Sequence, residues 1–146
     1  MTLEFIPVTE ADRSFFRHTH HVTYRKNIEA VFGWDEPTQD KFADTDFDTR
    51  NPMLLYFNGE KVGCVGSQER ESDTWFGPIF ILPEFQGQGI GSRVVNQFIQ
   101  KADETKKPIT LETLAINTQA RDLYTRLGFS VTEEADIFCH LVYTPK

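Results

Sequence analysis

The segment Phe80-Ile-Leu-Pro-Glu-Phe-Gln-Gly-Gln-Gly-Ile-Gly-Ser92 has the make-up of an anion cradle. Gly87, Gly89 and Gly91 let the backbone pass close to a ligand and aim successive N–H groups at one spot. The apolar run Ile79 to Leu82 stops at Pro83, which cannot donate to a sheet ladder. Beyond the glycines, Val94, Val95, Phe98, Ile99 and Ala102 recur at helical spacing, so the loop opens onto a helix N-terminus. Strand, loop and helix start together suit a phosphate-bearing ligand. The same glycines also fit a plain strand-to-helix turn. Two phosphate-loop types are excluded. A Walker loop needs Gly-Lys-Ser/Thr, whereas Gly91 is followed directly by Ser92. A dinucleotide fingerprint needs G-x-G-x-x-G, and a loop starting near residue 86 of 146 leaves too little chain for two mononucleotide-binding halves.

Three further groups of residues bear chemistry. His18, His20, His21, Tyr24, Arg25, Trp34, Asp35, Glu36 and Gln39 form a dense polar and aromatic cluster suited to gripping a cation. His18 and His21 share a helix face, but no third ligand stands at a telling distance, so no metal is expected. Glu112 interrupts the apolar run Ile109 to Ala115, where a carboxylate is costly unless it faces water or a site. Both a general base and a solvent-facing side chain fit that position. Tyr124 shares a helix face with Ala120, Leu123 and Leu127, a pattern that core packing alone explains.

The elements that must position these groups alternate in type. Leu3 to Val8 reads as a strand, and Thr9 with Asp12 starts a helix that runs to the C-cap Gly33. A break near residues 20 to 23 would divide that helix in two. Glu36 to Phe47 reads as a further short helical turn. Met53 to Phe57 and Val62 to Ser67 form a hairpin about Asn58-Gly59. Thr74 to Leu82 is the strand before the glycine loop, and Pro108 restarts the chain into the strand Ile109 to Ala115. Asn117 caps a helix that ends at Gly128, and Val131 and Phe138 to Tyr143 supply the last strands.

The chain has 146 residues, the size of one domain with a real core. A formal charge of −7 disfavours nucleic acid and favours cationic partners. Two cysteines, Cys64 and Cys139, lack metal or disulfide-scaffold spacing and read as reduced core thiols. No run approaches transmembrane length, and Met-Thr-Leu-Glu-Phe lacks the basic and apolar regions of a signal peptide, so no membrane contact and a cytoplasmic protein are expected.

Gln86-x-x-Gly89-x-Gly91, just after Pro83-Glu84, resembles the acyl-coenzyme A loop of the GNAT superfamily of N-acetyltransferases. Downstream, Leu111-Glu-Thr-Leu-Ala-Ile-Asn117, Ala120, Leu123-Tyr124 and Leu127-Gly128-Phe129 look like that family's second motif, in the right order and separation over residues 74–131. The resemblance implies one α/β domain over residues 1–146. Its sheet would be mixed and mostly antiparallel, of about six to seven strands flanked by helices and splayed at an acyl-CoA cleft. It implies transfer of acetyl from acetyl-CoA to a primary amine of a small molecule or peptide, by direct attack. The alternative is an acyl-CoA-binding or regulatory module without turnover.

The resemblance also assigns roles. Gly87, Gln88, Gly89, Ile90, Gly91 and Ser92 would hold the pyrophosphate. The backbone of Ile79, Phe80 and Ile81 would pair with the pantetheine arm, the Ile81 amide polarising the thioester. Asn117 would reach the same arm. Tyr124 matches the general acid, since a phenol pKa of roughly 10 keeps it protonated beside a thiolate leaving group. Glu112 matches the base of some peptide-acetylating members. Tyr24, Trp34, Asp35 and Glu36 fall where the family builds its acceptor wall. A cationic amine is the expected substrate, with no metal, and a homodimer is compatible with the resemblance.

Overall fold

A computed structural model describes residues 2–146. These form β1 (Leu3–Pro7), α1 (Arg13–Phe32), α2 (Glu36–Thr49), β2 (Met53–Phe57), β3 (Glu60–Glu69), β4 (Thr74–Ile81), α3 (Ile90–Thr105), β5 (Ile109–Leu114), α4 (Thr118–Arg126), β6 (Ser130–Glu134) and β7 (Phe138–Tyr143). The seven strands make one open sheet of order β1-β2-β3-β4-β5-β7-β6, flanked by the four helices. β1/β2, β2/β3, β5/β7 and β6/β7 pair antiparallel. β4 and β5 pair parallel, with Thr74 opposite Ile109 and Trp75 opposite Thr110. This is the mixed, mostly antiparallel α/β sheet expected from the sequence. By its contacts the chain forms two compact units: residues up to Gln68 with Gly77–Gly91, and Glu69–Phe76 with Ser92–Lys146.

In the first unit, Asn58 and Gly59 take left-handed backbone (φ 53° and 84°) and close the β2–β3 hairpin as their residue types demand. Asp12 accepts from the Thr9 N–H at 2.8 Å and starts the helical run. α1 then continues unbroken for 20 residues, which corrects the expected break near residues 20 to 23. The threonines there turn their hydroxyls back onto the helix. Thr19 Oγ1 donates to the Phe16 carbonyl at 2.8 Å and Thr23 Oγ1 to the Thr19 carbonyl at 2.6 Å. α2 is likewise a full helix of 14 residues, not a short turn. The Asp35 carboxylate accepts from the Thr38 N–H at 3.1 Å, and Pro37 occupies the first turn, where its missing N–H costs nothing.

Phe16, Phe47, Leu54, Cys64 and Phe80 form this unit's core, with Phe16 edge-on to Phe80 (5.3 Å) and to Phe47 (5.5 Å). Each such ring contributes about 1.5–3 kcal/mol by leaving water. Burial also pushes the Cys64 thiol up to about 12, so it is inert. Gly63 fixes how closely β3 approaches β4: a Cβ there would fall 1.8 Å from the Phe80 carbonyl oxygen.

In the second unit an aromatic chain runs from Phe98 to Phe76 (4.8 Å), Tyr124 (6.3 Å), Phe129 (5.4 Å) and Tyr143 (5.6 Å). Val94, Val95 and Ala102 of α3 are buried, as their spacing predicts. Among the described residues, no helix is long and apolar enough to cross a membrane.

Candidate active site

β4 ends at Ile81, a single 3₁₀ turn follows at Pro83–Phe85, and the glycine loop leads into the 16-residue α3. Gly87 and Gly89 have φ of 79° and 77°, and nothing lies within 4 Å of where a Cβ would stand at either. Backbone conformation, not crowding, therefore requires glycine here. Gln86 adds a feature invisible in the motif: its Nε2 donates to the Ile81 carbonyl at 2.8 Å. Along β4, Phe80 is buried while Ile79 and Ile81 are half-buried.

The first unit also gathers much of the polar cluster. Asp35 is committed to capping α2, also accepting from Thr38 Oγ1. Trp34 Nε1 donates to Glu36 at 2.5 Å, its ring lies edge-on to His21 at 5.0 Å, and the Arg25 guanidinium sits 5.1 Å over it. Tyr24 packs edge-on against Phe80 at 4.9 Å, and burial, reinforced by Asp46, holds its phenol above its ordinary range.

Next to these the structure joins two histidines of that cluster, His20 and His21, to Asp40, which the sequence did not single out. His20 Nδ1 and His21 Nδ1 are 2.8 Å apart, and His21 Nε2 contacts Asp40 Oδ1 at 2.7 Å. One atom each of His21, Glu36 and Asp40 lies within 4.8 Å of the others, so a cation would find ligands there. The bond from His21 Nε2 to Asp40 already engages two of the three, and the cluster reads as a hydrogen-bonded network. The only sequence signal was the His20-His21 pair itself; Asp40 comes from another helix.

In the second unit, Asn117 Oδ1 accepts from the Ala120 N–H at 3.1 Å and caps α4. Tyr124 is 5% exposed, with Phe76 and Phe129 about its ring. Glu112 lies opposite His140 in the β5–β7 register, with 3.1 Å from His140 Nε2 to its carboxylate. Its side chain is 35% exposed, so alternation along β5 turns it outward rather than into the apolar layer.

Burial, and then the neighbouring His21 ring, push the His20 imidazole down from 6.5 to about 4, with Asp40 opposing weakly. Unfolded, His20 takes its proton near pH 6.5; folded, only near pH 4. The unfolded chain therefore binds more protons between those values. His20's contribution is complete above pH 6.5 and is withdrawn as the pH falls through 4, by about 3 kcal/mol in all. Urea unfolding at pH 7 and pH 4.5 should show His20→Gln losing less stability on acidification than the wild type. Equal losses would mean that His20 is not held neutral by its surroundings.

Solved structures share this fold. The N-acetyltransferase PaiA of Thermoplasma acidophilum, in complex with coenzyme A, superposes with a TM-score of 0.78 over 99% of both chains at 9% identity. A strand that ends in a glycine loop at a helix start, on this sheet, defines the class as the N-acetyltransferase fold. The acetyltransferase (GNAT) family matches residues 13–129, and the chain belongs to that family. It is 36% identical over 94 residues to the thialysine N-epsilon-acetyltransferase of Bos taurus, covering 57% of this chain and 55% of that one. It is 30% identical over 95 residues to the spermine/spermidine N(1)-acetyltransferase of Bacillus subtilis, covering 58% and 62%. The chain thus spans little more than half the length of these relatives.

Proposed function

We propose that this protein transfers the acetyl group of acetyl-CoA directly to a primary amine of a small cationic molecule. The observation that carries this reading is the glycine loop between β4 and α3 in a chain of the GNAT family. The amides of Gly87 to Ser92 hold the pyrophosphate against the α3 dipole. The backbone of Ile79 to Ile81 holds the pantetheine arm, and the Ile81 amide polarises the thioester carbonyl. Asn117 supports the arm while capping α4. Tyr124 gives its proton to the departing thiolate, and Glu112, tied to His140, stands where some peptide-acetylating members of the family carry a base. Relatives that act on spermine or thialysine, together with the acidic balance of this chain, support a cationic amine over a neutral one. A reducing compartment, the cytoplasm, suits free Cys64 and Cys139.

Thiol release from acetyl-CoA with spermine, spermidine, a lysine analogue and a short peptide tests the function. Release with none of them, alongside measurable CoA binding, would leave an acyl-CoA-binding module. Gly89→Val should weaken CoA binding at least tenfold by calorimetry, because a β-branched residue resists φ near 77°. Unchanged affinity in the folded variant would move the pyrophosphate elsewhere.

A further inference from the structure

The His20–His21 contact within α1 and the His21–Asp40 contact from α1 to α2 together assign which nitrogen carries the proton in each neutral ring. A carboxylate only accepts, so His21 Nε2 bears the hydrogen in its 2.7 Å contact with Asp40. A neutral His21 then has a lone pair at Nδ1, and His20 Nδ1 must donate across the 2.8 Å contact between them. Neutral His20 is left with its lone pair on Nε2. Its ring is 3% exposed and lies among Tyr24 (5.4 Å), Trp34 (6.4 Å) and Phe80 (5.7 Å). Phe80 belongs to the strand to which the thioester arm was assigned above.

We propose that His20, His21 and Asp40 form a proton outlet for the acceptor amine, a reading that rests on the acetyl transfer proposed above. The substrate ammonium gives one proton to His20 Nε2, directly or through a water, and keeps its lone pair for attack. His20 passes its Nδ1 hydrogen to His21 Nδ1. His21 becomes an imidazolium between Asp40 at 2.7 Å and Glu36 at 3.6 Å, and its Nε2 hydrogen leaves through Asp40 to solvent. An N–H bond breaks at the substrate and an O–H bond forms, first at Asp40 and then in solvent. The two rings end as the opposite tautomers and rotate back before the next turnover, and no charge is left in the core.

The division of labour follows from the surroundings. Burial holds His20 neutral, so it cannot store the proton it receives. The His21 side chain is 16% exposed and has two carboxylates beside it. The other charged or titratable groups at the network are few. Arg17 Nε stands 3.9 Å from Asp40, but its Nη2 is committed to Asp44 at 2.9 Å. Arg25 covers Trp34, Tyr24 contributes a phenol held protonated, and β4 contributes the apolar Phe80.

Two measurements test the outlet. Nitrogen-edited NMR of ¹⁵N-histidine-labelled protein near neutral pH should show His20 with hydrogen on Nδ1 and His21 with hydrogen on Nε2. Hydrogen on His20 Nε2 in the neutral ring would overturn the arrangement. In pH–rate profiles with a cationic amine, His20→Gln and Asp40→Asn should each lower kcat about 10²-fold near pH 7 and recover above the pKa of the amine. Glu112→Gln should cost less. Asp40 is half-exposed, so its variant carries the kinetic test even where His20→Gln folds poorly. Wild-type profiles in both outlet variants, with the loss falling on Glu112→Gln, would place the base on β5 and overturn the proposal. No thiol release by the wild type with any amine would sink the transfer reaction and the outlet with it. The tautomers, read without substrate, tell that failure apart from a wrong proton path.

Discussion

Tyr124→Phe should lower kcat about 10²–10⁴-fold while leaving the affinity for CoA within a factor of about three, the mark of a lost proton donor. The substitution removes one oxygen and keeps the ring between Phe76 and Phe129, so packing is preserved. The thermal midpoint should then move by only a few degrees, in keeping with a change of about 1 kcal/mol. A single-turnover measurement isolates the chemical step from product release. An undiminished single-turnover rate would return Tyr124 to the aromatic chain of its unit, with no part in proton transfer.

Gly63→Ala should be the most damaging small substitution in the first unit. The added Cβ would stand 1.8 Å from the Phe80 carbonyl oxygen, 2.9 Å from its carbon and 3.2 Å from the Ile81 Cα. All three are backbone atoms, so no side chain can swing aside and one of the two strands must shift. A loss of about 3 kcal/mol, or about 10 °C in thermal midpoint, is expected. The shift falls on the residues assigned to the thioester arm, so KM for acetyl-CoA should rise in whatever folds. Gly59→Ala is the control. Its Cβ would meet nothing within 4 Å, and only its positive φ of 84° resists the change, at about 1 kcal/mol. Equal losses in the two variants would mean that the strands have slack which the geometry denies.

Most of the fold was legible in the sequence because local signals there agreed with one another. Asn58-Gly59 could make only one kind of hairpin turn, Pro83 had to end β4, and α3 declared itself through Val94, Val95 and Ala102. The exceptions were α1 and α2. Polar residues at 19–23 read as a break, but Thr19 and Thr23 turned their hydroxyls back onto their own helix. Asp35, a candidate acceptor contact in the sequence, caps α2 through Thr38, and the two roles leave the same trace in sequence. The glycine loop was legible because left-handed backbone at Gly87 and Gly89 demands glycine at set positions. The His20–His21–Asp40 chain was not, since its members come from two helices and only the tertiary fold brings them within hydrogen-bond reach. Glu112 was legible as an anomaly in an apolar run, yet its partner His140 lies on a strand much later in the chain.

The bond from the Gln86 side chain to the Ile81 carbonyl has a consequence for how a long, jointed cofactor is handled. It ties the start of the loop to the last residue of β4. A ligand anchored by its anionic end would then find the last strand carbonyl already at a set distance, as if measured off on a ruler. The loss of freedom that accompanies docking falls on the loop and the strand end together, once. The brace gives the protein a reason to keep a glutamine at that spot apart from any contact with phosphate. It ties reach to grip.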